Sequence, residues 1–183
     1  MMRVHPTDAP WCAETEDCSM QPTTPSQPAG QPETTSGATA GATWSARHIG
    51  GPNHVLSVRT GAELVAAITD FARSQGIRGG AVRGIGAVSR ATLLFRDPIE
   101  LTYVDREFDE QMEIAGLQGN ISVRGDETLV HIHTTLGRSD YSAIAGHLKE
   151  AWIRGAGEFF ITVAAHPLEK ALDADLGLNI FTL

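Results

Sequence analysis

Cysteine is nearly missing from this sequence: 183 residues contain two, Cys12 and Cys18, both in a polar N-terminal stretch. A fold built on disulfides is thereby excluded, and two free thiols in a flexible tail suit a reducing, cytoplasmic setting better than a metal-binding pair. Lysine is as scarce, with Lys149 and Lys170 standing beside twelve arginines, a ratio that fits GC-rich coding as well as any function. Long hydrophobic runs are missing too. Runs such as Leu64 to Ile68 stop at five residues, far short of the roughly 18 to 20 that a membrane-spanning helix needs. Met1 to Met20 carries charge and proline where a signal peptide requires a continuous apolar core, so secretion by that route is not expected. Positive charge is in deficit: 14 basic against 22 acidic residues leave a net −8. Half of that deficit, −4, sits in residues 1–45 and half in the remainder. Nonspecific affinity for nucleic acid comes from neutralising phosphates, so this balance argues against nucleic acid as the main partner.

Hydrophobic residues make up 42% and charged residues 20% of the chain, as in ordinary soluble domains, and the length suits one core plus a tail. From Gln21 to Thr43 proline, threonine, serine, glutamine and glycine dominate, and such a segment cannot offset the entropy of ordering itself. Residues 1–45 therefore read as a disordered leader, with Met20 an alternative start, and residues 46–183 as the folded domain.

Within the domain, His54 to Val58 is a short β-type run. Leu64, Val65, Ile68 and Phe71 then recur at helical spacing over Ala62 to Ser74, with Thr60 as the expected N-cap and Gly76 as the stop. Gly80 to Val88, Ala91 to Phe95, Ile99 to Val104, Met112 to Ser122 and Leu129 to Thr135 read as successive strands. Turns are expected at Asp97-Pro98, Arg106-Glu107 and Gly125-Asp126. Phe159 to Ala165 is a further strand, apolar on both faces, followed by a short helix over Pro167 to Asp175 and a last strand over Leu178 to Leu183.

His131-Ile132-His133 is the most informative local feature. A strand has period two, so both imidazoles face one side while Ile132 faces the other. On its own the pair suits a half-exposed sheet face as well as a metal. His147 lies 14 residues after His133, a distance over which the chain can return beside the strand. Three neutral imidazoles match the preferences of Zn²⁺, and of Ni²⁺ or Co²⁺, and leave one coordination position open. In zinc enzymes that position holds water or substrate.

Taken together, Gly84 to Leu93, Met112 to Ile121, His131-Ile132-His133 and Gly146-His147-Leu148 occur in the order typical of the PPC domain, the plants and prokaryotes conserved domain, which residues 48–183 resemble. The resemblance implies an α/β (α+β) domain, a mixed, largely antiparallel sheet with one main amphipathic helix, that assembles as a homotrimer. It implies a three-histidine metal site, as in prokaryotic members, at His131, His133 and His147, with zinc or another divalent transition metal as cofactor. The usual Gly-Gly-His-Leu is Ala145-Gly146-His147-Leu148 here, which leaves the ligand intact. Plant members join the domain to an AT-hook, a short Arg-Gly-Arg-Pro motif that enters the DNA minor groove, and no such motif occurs here.

Glu113 occupies the place of the glutamate in the family's Phe-Glu-Ile, with Met112 replacing the aromatic residue. It could accept an imidazole N–H or act as a general base, or it could pair structurally with Arg90 or Arg83. Gly84-Ile85-Gly86 lacks the third glycine and the helix of a phosphate loop, so a strand bend or close packing explains it better. Ser139-Asp140 has no nucleophile-elbow context. His5, His48, His54 and His166 read as tail, surface or turn residues. Two classes of function follow: a trimeric metal-binding domain with a small-molecule or enzymatic role, or a noncatalytic regulatory module that meets DNA-binding partners. No residue pattern identifies a substrate or a reaction.

Overall fold

The computed structural model describes residues 34–36 and 43–183; most of the expected leader, with Cys12 and Cys18, lies outside them. Ten strands and one helix follow in the order β1 (Thr34–Ser36), β2 (Trp44–Gly50), β3 (Asn53–Arg59), α1 (Leu64–Ser74), β4 (Gly80–Arg96), β5 (Tyr103–Phe108), β6 (Met112–Arg124), β7 (Glu127–Gly137), β8 (Ala143–Val163), β9 (Lys170–Asp173) and β10 (Leu178–Phe181). Eight strands form one sheet in the order β1-β2-β3-β8-β7-β6-β4-β5, and β9 with β10 makes a separate hairpin. β8 also pairs with β4, so β4, β6, β7 and β8 close into a ring of pairings. The expected largely antiparallel sheet with one helix is the fold found. Its named strands pair antiparallel throughout, and the parallel element is a lone bridge between Val123 and Glu169.

The helix buries Leu64, Ala67, Ile68, Phe71 and Ala72. Phe71 meets the ring of Trp44 edge-on with centroids 5.2 Å apart, and Trp44 Nε1 donates to Asp70 Oδ2 at 2.7 Å, which satisfies the indole N–H as the ring is buried. The expected cap at Thr60 is corrected: Glu63 caps the helix, its carboxylate accepting from the N–H groups of Val65 and Ala66. Gly61, with φ +83°, turns the chain between the two, and Thr60 Oγ1 instead donates to the carbonyl of Gly155 at 2.6 Å.

Four elements differ most from expectation. Gly80 to Val88 and Ala91 to Phe95 are one strand of 17 residues, because pairing with β8 continues through local bulges. Ile99 lies in a turn organised by Asp97, whose Oδ1 accepts from the N–H groups of Ile99 and Glu100, so the strand starts at Tyr103 and runs through Arg106-Glu107. The helix expected over Pro167 to Asp175 is a hairpin: Asp173 Oδ1 accepts from the N–H groups of Asp175 and Leu176, and Gly177 at φ +63° completes the turn. The fourth difference is β8, whose first half, Ala143 to Arg154, has too many small and charged residues to show a strand alternation.

A candidate three-histidine metal centre

β7 and β8 form a hairpin closed by residues 138–142. Arg138 N–H donates to Ser142 O at 2.8 Å, and Asp140 Oδ1 accepts from the Ser142 N–H and hydroxyl. From that turn the pairing runs Gly137 with Ala143 back to His133 with His147, so a separation of 14 residues puts the two histidines directly opposite each other. His131, two residues further along β7, lies on the same face, while Ile132 between them is 1% exposed in the core.

The three imidazoles converge. One nitrogen from each lies within 4.8 Å of the others, and His131 Nε2 and His133 Nε2 are 3.2 Å apart. Tetrahedral coordination with metal–nitrogen bonds of about 2.0–2.1 Å spaces ligand nitrogens about 3.3–3.4 Å apart. The His131–His133 spacing already fits such an ion, and His147 closes the set from the neighbouring strand. The donor chemistry fits as well. Burial, then the nearby His147, Lys170 and His133, push the His131 pKa down to about 4, and burial with His133 lowers that of His147. Both rings are therefore neutral near pH 7 and able to donate a lone pair.

The trio stands between two clefts. His131 and His147 line one of about 520 Å³, bounded by Tyr103 of β5, Lys170 of β9 and Leu178 and Ile180 of β10. His133 lines a smaller one of about 340 Å³ with Gln118, Thr135 and Ala145. On β6, Asn120 pairs with His131 and Gln118 with His133. Asn120 Oδ1 accepts from Lys170 Nζ at 3.0 Å, and the Tyr103 ring lies 5.8 Å from that of His147. Lys170, Asn120 and Tyr103 are the neighbours that the sequence did not single out. Asn120 follows from the β6–β7 register once the turn is placed, whereas no pattern marks the other two.

Glu113 is not brought to the histidines. It pairs with Gly137, four residues along β7 from His133, or about 13 Å at the rise of a strand. It lines a different cleft of about 650 Å³ with Arg154 and Glu158. Its suggested partners are engaged elsewhere: Arg90 lies over the Trp152 ring at 3.6 Å and Arg83 over Phe160 at 5.7 Å. The glycine-rich segment is strand: Gly84 sits where a side chain would collide with Phe159. His48 and His54 face each other across β2 and β3, with rings 5.1 Å apart. Burial and then His48 lower the His54 pKa.

Residues 47–165 match the model of the Plants and Prokaryotes Conserved (PCC) domain. Among solved structures, a protein of Bacteroides thetaiotaomicron provisionally named DNA-binding is 41% identical, with a TM-score of 0.74 over 76% of this chain and 97% of that one. A metal-containing protein of Archaeoglobus fulgidus is 30% identical, with a TM-score of 0.67 over 73% of this chain and 94% of that one. A plant- and prokaryote-conserved (PPC) protein of Pyrococcus horikoshii is 25% identical, with a TM-score of 0.67 over 73% and 92%. No curated protein matches the sequence.

Proposed function

The chain belongs to the Plants and Prokaryotes Conserved domain family, and from that premise we propose that it is a homotrimeric, cytoplasmic metal-binding protein serving a small-molecule or enzymatic role. In this reading His131, His133 and His147 hold one Zn²⁺ per chain. The observation that carries it is the convergence of three imidazole nitrogens within 4.8 Å on the β7–β8 hairpin. A metal-containing relative at 30% identity supports it. A divalent ion bound there supplies an electrophilic centre with a position left for a ligand. The chain's own contribution is to fix the rings by strand pairing, keep two of them neutral by burial, and offer a cleft beside them.

Zinc titration of the untagged, metal-stripped protein tests this. The wild type should take up about one ion per chain. His131→Ala, His133→Ala and His147→Ala should each lower the affinity by at least tenfold, since each removes one of three ligands. Glu113→Gln should leave zinc affinity unchanged, because Glu113 lines another cleft; a comparable loss there would restore it as an acceptor behind an imidazole. Full stoichiometry in the His131→Ala, His133→Ala double variant would refute the site.

A second reading, a regulatory module that meets DNA, is favoured by the provisional DNA-binding name of the relative at 41% identity. Charge speaks against it, as do the engagements of Arg78, Arg83 and Arg90, which lie on or just before β4. Arg78 pairs with Glu169 at 3.4 Å, while Arg83 and Arg90 lie over aromatic rings. Retardation of AT-rich duplex at submicromolar protein in roughly 0.15 M salt, abolished by replacing those three arginines, would favour this reading.

A further inference from the structure

The cleft beside the histidines contains a buried cation. The chain holds 22 acidic residues, yet none lines this cleft of about 520 Å³. Its cationic wall is Lys170, which is 7% exposed. Lys170 donates to the neutral Asn120 Oδ1 at 3.0 Å and lies 4.6 Å from the centre of the Phe181 ring. Among the described residues no carboxylate pairs with it, whereas the other lysine, Lys149, pairs with Asp105 at 2.8 Å. Lysine is almost never this buried without a counter-charge, since an ammonium taken from water needs an anion to replace its hydration.

The remaining walls say what kind of anion fits. Leu94, Leu129, Leu178 and Ile180 are apolar and Tyr103 and Asn179 polar, while Val130 packs against the core. Recognition of phosphate favours arginine forks or the N–H groups at a helix start, and this cleft has neither. One ammonium in a cleft that also presents several apolar side chains suits a singly charged group on an apolar body. We propose that the cleft between the His131–His147 wall and the β9–β10 hairpin binds a small organic carboxylate. Lys170 matches the carboxylate, and the side chains of β7 and β10 cover a short hydrocarbon body. This inference rests on the metal-site reading for its orientation: the carboxylate end faces the histidines.

Calorimetric titration of the zinc-loaded full chain with octanoate, octanamide and inorganic phosphate tests it, with zinc content measured in every sample. Octanoate should saturate at one per chain, and octanamide should bind at least tenfold more weakly. Shortening the acid should cost about threefold to fourfold in affinity per buried methylene removed. Lys170→Met should weaken octanoate at least tenfold without changing zinc stoichiometry, and Lys170→Arg should retain most of the affinity. Ile180→Asp, on a partly exposed strand, places a like charge at the cleft and should weaken octanoate more than octanamide, which keeps the test decisive if Lys170→Met fails to fold. Equal binding of octanoate and octanamide, tighter binding of phosphate than of octanoate, octanoate affinity unchanged in a folded Lys170→Met, or octanoate affinity indifferent to Ile180→Asp where Lys170→Met is unfolded, would overturn the proposal. A fully zinc-loaded chain that ignores octanoate would overturn it while leaving the metal site intact. Failure to take up zinc would instead remove the metal reading. The same titration of the metal-free chain would then decide the cleft: octanoate binding weakened by Ile180→Asp supports it, and no binding overturns it.

Discussion

At Gly119 an added methyl group would run into the carbonyl of His131 and the side chain of Ile132, whereas at Gly116, three residues earlier on the same strand, it would meet nothing within 4 Å. The contrast provides a test of how tightly β6 holds the histidine-bearing strand. Gly119→Ala must part β6 from β7 beside His131, and overpacking of this kind costs about 1–3 kcal/mol. Urea unfolding should show that loss, and zinc affinity should fall with it, while Gly116→Ala should leave both nearly unchanged. The same register explains what could be read at this scale. His131 and His133 were legible because a strand's period puts alternate residues on one face. Glu113 was of the right chemical type but at the wrong distance. The turn at Gly125 fixes Arg124 opposite Glu127, and counting back from there puts Gln118 and Asn120 across from the histidines. Lys170 was hidden because its importance lies in burial without a counter-ion, a property of the fold and not of any local pattern.

Glu63 joins the one helix to the longest strand. Its carboxylate accepts from Val65 N–H at 3.0 Å and Ala66 N–H at 2.6 Å, and also from Ala151 N–H of β8 at 3.0 Å. Backbone bonds from Gly61 to Ile153 and from Ile153 to Ala62 complete the seam. Glu63→Ala therefore removes a cap and leaves a partly buried N–H of β8 without its acceptor. A loss of about 1–2 kcal/mol is expected, read as a lower urea midpoint with the slope unchanged, and Glu63→Gln should recover part of it. The helix was legible from its 3.6-residue apolar period, but its cap was not: Thr60 has the preferred chemistry, and a turn at Gly61 carries it off the helix axis. β8 was half legible for a related reason. Phe159 to Val163 is strongly apolar, but the stretch from Ala143 to Arg154 pairs through bulges that break alternation. His147 was found by counting residues from His133, not by recognising its strand.

Over the whole molecule, the sheet is open where β5 forms its edge, and apolar side chains are exposed beside it. Phe95, Leu101, Tyr103 and Val104 are 46 to 70% exposed. An edge of this kind is a pairing surface, which supports the proposed homotrimer. Sedimentation of the full chain at micromolar concentration should give three times the 19.5 kDa chain mass, and Val104→Lys with Phe95→Lys should shift it toward monomer. A wild-type monomer would contradict the assembly. The architecture was legible as an order of motifs along residues 48–183, since that order survives changes in individual strands. The closure of β4, β6, β7 and β8 into a ring was not, because it depends on β8 pairing with partners on both sides. Among the described residues no helix is long and apolar enough to cross a membrane. The central claim is that the three histidines hold a metal, and anomalous diffraction at the zinc edge from crystals of untagged, zinc-equilibrated protein tests it most directly. The account predicts one strong peak per chain about 2.0–2.1 Å from a nitrogen of each of His131, His133 and His147. A peak coordinated elsewhere, or none between the three rings at full zinc occupancy of the solution, would contradict it.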